Sequence, residues 1–332
     1  MRDKYFDNAK GILIIFIVLA HIFSACADYY GYDDDFFKFC SLFMIPCFFF
    51  ISAYFSSKSH QKRGRRIFKM VCLYVFWQIL VTIYYSFVLK TMNFSLNILY
   101  PRYTYWFLVS LISYLLLEYL FERLSYKVMI PLGFLLALLS GFVSSIGEFG
   151  ALARTFTFLP FYVLGFYAND LGLIEKIKSM EYKKICIVLS LLILVFLLIY
   201  DDILPYKLLR GKYSYYDISG SLVSVFLKRI IFYVFSLIVS LSFFKVMTSK
   251  ETVFTRLGQN TLNIYLLQGA ILKTIVTYEM LPSNIVLGNL VMLLVLVICI
   301  YILDKLVKKV KEFFEERTDN LWIRNLQVLN GH

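Results

Sequence analysis

Apolar residues in this chain come in blocks of about 17–25, separated by short polar stretches, and a helix of that length crosses the hydrocarbon core of a bilayer. The blocks predict ten spans, at about 11–27, 36–56, 67–89, 105–121, 128–146, 156–172, 185–203, 222–247, 261–281 and 285–304. The sixth is the least regular, because it is short, holds Pro160 and is flanked by Arg154, Asn169 and Asp170. The eighth carries Lys228 and Arg229, which blurs its start. Residues 306–332 have apolar positions at helical spacing with mixed charge, and read as an amphipathic tail on the cytoplasmic surface. Residues 1–305 therefore read as one ten-helix, all-α integral membrane domain. The pattern shows no internal repeat, no soluble domain and no inverted repeat of the transporter kind.

Composition agrees with this reading. Of 332 residues, 60% are hydrophobic and 17% charged, with a mean hydropathy of +0.72, too few polar groups to solvate a soluble surface of this size. The net charge of +12 raises the question of nucleic acid, but its distribution excludes it. The first loop, Asp28-Tyr-Tyr-Gly-Tyr-Asp-Asp-Asp35, has no base, and the second, Lys58 to Arg66, has no acid. About 24 of the 34 Lys and Arg fall on the side of the amino terminus, which predicts that both termini are cytoplasmic. The six cysteines lie mostly inside apolar blocks, with no metal-ligand spacing. Arg2, Lys4 and Lys10, an apolar run and Ala25-Cys-Ala27 have the outline of a secretory signal. A signal core does not normally hold a histidine and a flanking aspartate, so the span reading stands.

Candidate chemistry begins in the first span. His21 follows Lys10 by eleven residues, so it lies about 16 Å further along the helix and within about 20° of the same face. Asp7 shares that face. An ionisable group at this depth is costly and faces a protein-lined or wet cavity, so His21 is a candidate general base; a structural histidine bonded to a neighbouring carbonyl is the alternative. The basic run Lys62-Arg63-Gly-Arg65-Arg66 suits phosphate recognition, or equally topological anchoring on anionic lipid. Pro46, in Met44-Ile-Pro-Cys-Phe-Phe-Phe-Ile-Ser52-Ala, removes a helical hydrogen bond and bends that span either toward a cavity or for packing. Trp106 at a span end, Arg154 before Pro160, and the amides Asn260, Asn263 and Gln268 complete the set. Their ordinary roles are interface anchoring, snorkelling and helix pairing.

Taken in order, these stretches resemble the acyltransferase-3 family of membrane acyltransferases, most nearly its fucose 4-O-acetylase-like branch of sugar O-acetyltransferases. The family's basic residue, ten intervening residues and histidine, in a span opening with Asp, match Asp7, Lys10 and His21, with Lys where many members have Arg. Its Pro-x-Phe-Phe-x-Ile-Ser-Gly stretch matches Pro46 to Ala53, with Ala for Gly. Its Arg-x-x-Arg matches Arg63 to Arg66, its Trp-Phe-Leu matches Trp106 to Leu108, its Arg…Pro-Phe-x-x-x-Gly matches Arg154 to Gly165, and its Asn-Thr-Leu-x-Ile-Tyr-Leu-Leu matches Asn260 to Leu267. Many relatives have a histidine where this chain has Gln268, leaving His21 as the intramembrane imidazole.

The resemblance implies an O-acetyltransferase in a bacterial cell membrane that moves acetyl from acetyl-CoA, with no metal, to a sugar hydroxyl of a surface polysaccharide or its lipid-linked precursor. It implies His21 as general base with Lys10 and Asp7 beside it, or His21 as the carrier of a covalent acetyl relay toward the outer face, and Arg63, Arg65 and Arg66 on the phosphates of coenzyme A. It also implies Ser52, Trp106, Arg154, Asn260 and Gln268 on the acceptor side. Partners would be membrane lipid, the glycan acceptor and glycan-assembly machinery. A transporter of polysaccharide or lipid-linked sugar, without acyl chemistry, would need a similar polar stripe, and a scaffold of a glycan-assembly complex would tolerate loss of His21.

Overall fold

In the computed structural model, which describes residues 3–30, 35–181, 183–199 and 203–284 together with 286–288, 290–294, 297, 312 and 317, the first apolar block is one long helix, α1 (Lys4–Tyr30). Its length follows from an uninterrupted run of Ile, Leu, Val, Phe and Ala with no proline and a single glycine. The second block is broken. α2 (Asp35–Ser41) and α3 (Met44–Ser57) are separated by a turn at Leu42 and Phe43. Pro46 stands in the first turn of α3, where its missing N–H costs little, so the bend lies just before it rather than in mid-helix.

The remaining described helices are α4 (Arg63–Ile83), continued by a π turn to Val88, then α5 (Trp106–Phe121), α6 (Tyr126–Leu139), α7 (Leu152–Phe166), α8 (Leu173–Ser179), α9 (Lys183–Ile199), α10 (Tyr206–Arg210), α11 (Leu222–Val246), α12 (Val253–Gln259) and α13 (Thr261–Thr277). Among the described residues there is no strand. Among the described residues, five helical stretches are long and apolar enough to cross a membrane: Lys4–Tyr30, Asp35–Ser57, Arg63–Val88, Phe149–Phe166 and Leu222–Val246. The bent pair formed by α8 and α9 makes six if counted as one span. The protein is thus an all-helical membrane protein. Helix occupies part of each of the first nine predicted blocks, although α5 and α6 are short for a full crossing. The predicted tenth span and the tail 306–332 lie largely outside the described residues. The sixth block is displaced. Its helix starts at Leu152, after a left-handed pair at Gly150 and Ala151, and ends at Phe166, so Arg154 stands inside its first turn. In the eighth block Arg229 is inside α11 and buried, donating to Thr157 Oγ1 at 3.3 Å.

α1 is the central element, packed by α12, α13, α3 and α2. Close approach to α12 depends on two glycines. A Cβ at Gly11 would lie 2.1 Å from the carbonyl oxygen of Phe254, and one at Gly258 would lie 1.8 Å from that of Asp7. Small residues that let backbones touch are the usual device of helix pairs in lipid. Because the atoms met are backbone, no side-chain rotation relieves the clash. Gly258→Ala should therefore cost about 1–3 kcal/mol of stability, measured as a lower midpoint of thermal unfolding in detergent. It should also displace the Asp7–Lys10 segment. The α3–α7 contact is built the same way, with Gly165 against the backbone of Phe50. Between these pairs an aromatic cluster surrounds Phe49, which stacks on Phe107 at 4.5 Å and meets Tyr114 edge-on at 5.1 Å.

Candidate active site

One face of α1 borders a cavity of about 760 Å³. The α1 residues that line it are Lys10, Ile14, Ile17, His21, Ser24, Ala25 and Asp28, which recur at the spacing of a single helical stripe. From Lys10 to Asp28 the stripe runs for about 27 Å, close to the thickness of a bilayer core. Beside the stripe, Phe6, Ala9, Leu13 and Ile22 of α1 are buried in the protein.

At one end, Lys10 pairs with Asp7 at 2.7 Å, one turn below. Asp7 is buried and, among the described residues, its second carboxylate oxygen has no hydrogen-bond partner. The pair therefore holds the Lys10 ammonium at the cavity mouth while Asp7 itself stays behind the wall. Ser52 of α3, Met70 of α4, and Thr261 and Leu262 of α13 line the wall beside Lys10.

His21 lies between the two ends. Its ring is tilted against that of Tyr103, with centroids 5.7 Å apart. Among the described residues it makes no hydrogen bond, so its nitrogens are not committed to a neighbouring helix. Gln268 lines the same cavity and is fully buried, yet among the described residues neither its amide nitrogen nor its amide oxygen has a partner. A buried amide left unmade costs about 1–3 kcal/mol, so Gln268 is a group that a ligand would satisfy.

The far end is shaped by the segment after α4. Tyr74 donates to the carbonyl of Ile98. The Gln78 amide donates to Asn97 and Tyr100 carbonyls at 2.9 and 3.0 Å and accepts from the Arg102 backbone. Tyr265 donates to the Thr104 carbonyl. These bonds hold Tyr103 in the cavity wall, with a left-handed backbone (φ 46°) and its ring against Gly269, where a Cβ would lie 2.4 Å from it. Arg154 lies over the Trp106 ring at 4.6 Å and donates to the Arg210 carbonyl at 3.2 Å. Arg210 in turn donates to Tyr206, and Lys212 pairs with Glu148 at 2.5 Å. Burial pushes the Glu148 carboxyl up, but the Lys212 bond and charge outweigh it, so Glu148 stays below its ordinary range.

The sequence compares accordingly. A family model described as an acyltransferase domain, acyltransferase-3, matches residues 3–304. This chain belongs to the acyltransferase-3 family. It is also 29% identical over 307 residues to the nodulation protein NolL of Mesorhizobium japonicum, covering 82% of this chain and 77% of that protein. No solved structure matches the chain significantly.

Of the residues the sequence singled out in this acyltransferase, His21, Lys10, Ser52, Trp106, Arg154 and Gln268 line the one cavity, and Asp7 reaches it through Lys10. Asn260 does not line it. It sits at the junction of α12 and α13, beside the lining residue Thr261. The basic run differs most from expectation. Arg63 is buried, and its guanidinium donates to Glu118 at 2.8 Å and to both oxygens of Glu122. With its donors engaged by two carboxylates, Arg63 ties α4 to α5 rather than facing the cavity. Arg65 and Arg66 do not line the cavity either, but Arg66 stands one turn before the lining residue Met70 on the same helix face. Sequence reasoning missed Tyr103, Glu148, Arg210, Lys212 and Lys273, all of which line the cavity. Among the described residues no group of three or more His, Cys, Asp or Glu is placed to hold a metal ion.

Proposed function

We propose that this acyltransferase is a membrane O-acetyltransferase of the sugar-modifying kind, moving acetyl from acetyl-CoA to a sugar hydroxyl of a surface polysaccharide or its lipid-linked precursor. The observation that carries this reading is the cavity along α1, with a lysine at one end, an uncommitted imidazole between, and an aromatic and basic lining at the other. The Lys10 end faces the cytoplasm, on the side that the loop charges assign to both termini in a ten-span bundle. Coenzyme A is a cytoplasmic, phosphate-rich donor. Its phosphates would meet Lys10 and the Arg65–Arg66 edge of α4, with the thioester extending toward His21. The acceptor sugar enters from the Arg154 end, its ring against Trp106 and its hydroxyls on Gln268. His21 takes the proton from the attacking hydroxyl as its oxygen adds to the thioester carbonyl. The C–S bond then breaks, and the coenzyme A thiolate leaves with the proton returned from the imidazolium. Positioning in a water-poor cavity and base catalysis together account for the acceleration.

Purified protein given labelled acetyl-CoA and acceptor glycan should release free thiol and label the glycan in equal amounts. A protein that carries glycan across a vesicle membrane without thiol release would be a transporter instead. Arg66→Ala should raise the KM for acetyl-CoA several-fold with kcat little changed, as loss of a charge-assisted contact of about 1.5–3 kcal/mol implies. An unchanged KM would remove Arg66 from the donor site.

A further inference from the structure

The Arg154 end of the cavity carries more positive charge than a neutral sugar requires. Arg102, Arg154, Arg210, Lys212 and Lys273 all line it, against the carboxylates of Asp28 and Glu148. The Lys212–Glu148 pair neutralises one of each. Four cations then face Asp28 alone. Their contacts position these groups without cancelling their charge: Arg154 lies over Trp106, Arg210 over Tyr206 at 4.4 Å, and Arg102 donates to the Ser95 carbonyl at 2.8 Å. The Arg102 Nε is buried with no partner, and Lys273 makes no ion pair or hydrogen bond among the described residues.

Two physical arguments make this concentration informative. Like charges gathered in a partly desolvated cavity repel one another more strongly than they would in water. On the proposed orientation they also stand at the outer side, where the loop-charge bias disfavours Lys and Arg. The topological bias does not call for them, and an anion would relieve their mutual repulsion. Gln268, fully buried and without a partner among the described residues, is a further group in the same cavity that a polar ligand would satisfy.

We propose that this end of the cavity recognises an anionic group on the acceptor glycan, a ring carboxylate of the uronic-acid kind or a sugar phosphate, while Trp106 and the neighbouring tyrosines take the face of the ring. The inference rests on the acceptor entering from this end, as proposed above. It makes the acceptor an acidic glycan rather than a neutral one.

The test is equilibrium binding of methyl glucuronide, glucose 1-phosphate and methyl glucoside to the purified full-length protein in detergent, at low and high salt, read by intrinsic tryptophan fluorescence. At least one of the two anions should bind about tenfold or more tighter than methyl glucoside, and high salt should shrink that preference. The tighter anion tells carboxylate from phosphate. Lys273→Gln, an exposed side chain whose loss leaves packing intact, and Arg102→Gln should each remove most of the preference. Equal binding of the neutral and anionic probes, or no detectable binding of either anion, overturns the proposal. So does competition in which the anions are displaced by coenzyme A and Lys273→Gln weakens coenzyme A itself, which would assign these cations to the donor. The readout does not require turnover, so an absence of acetyl transfer would overturn the proposed reaction while leaving the anion preference measurable.

Discussion

His21→Ala is expected to lower acetyl transfer by about a hundred- to ten-thousandfold, the usual contribution of a positioned general base. The protein should still reach the membrane at normal levels. The expectation of a folded variant has a structural basis. The imidazole makes no hydrogen bond among the described residues, and its packing partner is the tilted ring of Tyr103 across the cavity. Removing it leaves no buried donor or acceptor orphaned among those residues. His21→Asn sharpens the result, since an amide can still hydrogen-bond a sugar hydroxyl but cannot take its proton. Thiol release from acetyl-CoA, measured on purified protein with its thermal midpoint, separates the roles. A loss of turnover with the midpoint preserved marks the base. A loss of both would mark a structural histidine.

The second large effect lies away from the cavity. Glu118 is fully buried, accepts from Arg63 Nε at 2.8 Å and from the Tyr162 hydroxyl at 2.8 Å, and lies 4.0 Å from Arg66. Glu118→Ala removes the innermost carboxylate facing Arg63. It should cost about 3 kcal/mol or more, because the Arg63 Nε and the Tyr162 hydroxyl both lose a buried acceptor while Glu122 holds only the other end of the guanidinium. Little monodisperse protein should survive extraction in detergent. Replacing both partners, Arg63→Met with Glu118→Met, should restore most of the yield, since the desolvated charges go together. The double variant also decides what Arg63 does. If Arg63 joins α4 to α5 and no more, its KM for acetyl-CoA stays near the wild-type value. A large rise in KM with normal yield would return Arg63 to the phosphate site that its sequence motif suggested.

The two predictions mark what could be read from sequence and what could not. Lys10 and His21 share a helix face because eleven residues make just over three turns, and that relation is local, so the stripe on α1 was legible before any fold was known. The block lengths are likewise local, and helix occupies part of each of the first nine blocks. The role of Arg63 was not legible. Its partners are 55 and 59 residues away, and nothing in a basic run says which acids a neighbouring helix will bring to it. Tyr103, Arg210 and Lys212 carry no periodic signal, because they sit in the connections and in the five-residue α10. They enter the site through backbone hydrogen bonds from Gln78 and Tyr265 and through the Arg154 contact with the Arg210 carbonyl. Pro46 was legible as a bend, but its register was not. The turn falls at Leu42 and Phe43, which puts the proline in the first turn of α3.

The central claim is that His21, in the middle of this cavity, is the general base for acetyl transfer from acetyl-CoA to a sugar hydroxyl. The measurement that bears on it most directly is the base-labile O-acetyl content of the surface glycan, by proton NMR before and after mild alkali. It would be compared in a deletion strain and in that strain carrying wild type or His21→Ala at equal membrane levels. The account predicts O-acetyl signals restored by wild type and absent with His21→Ala. Normal acetylation with His21→Ala, or a glycan unchanged by the deletion itself, would contradict it.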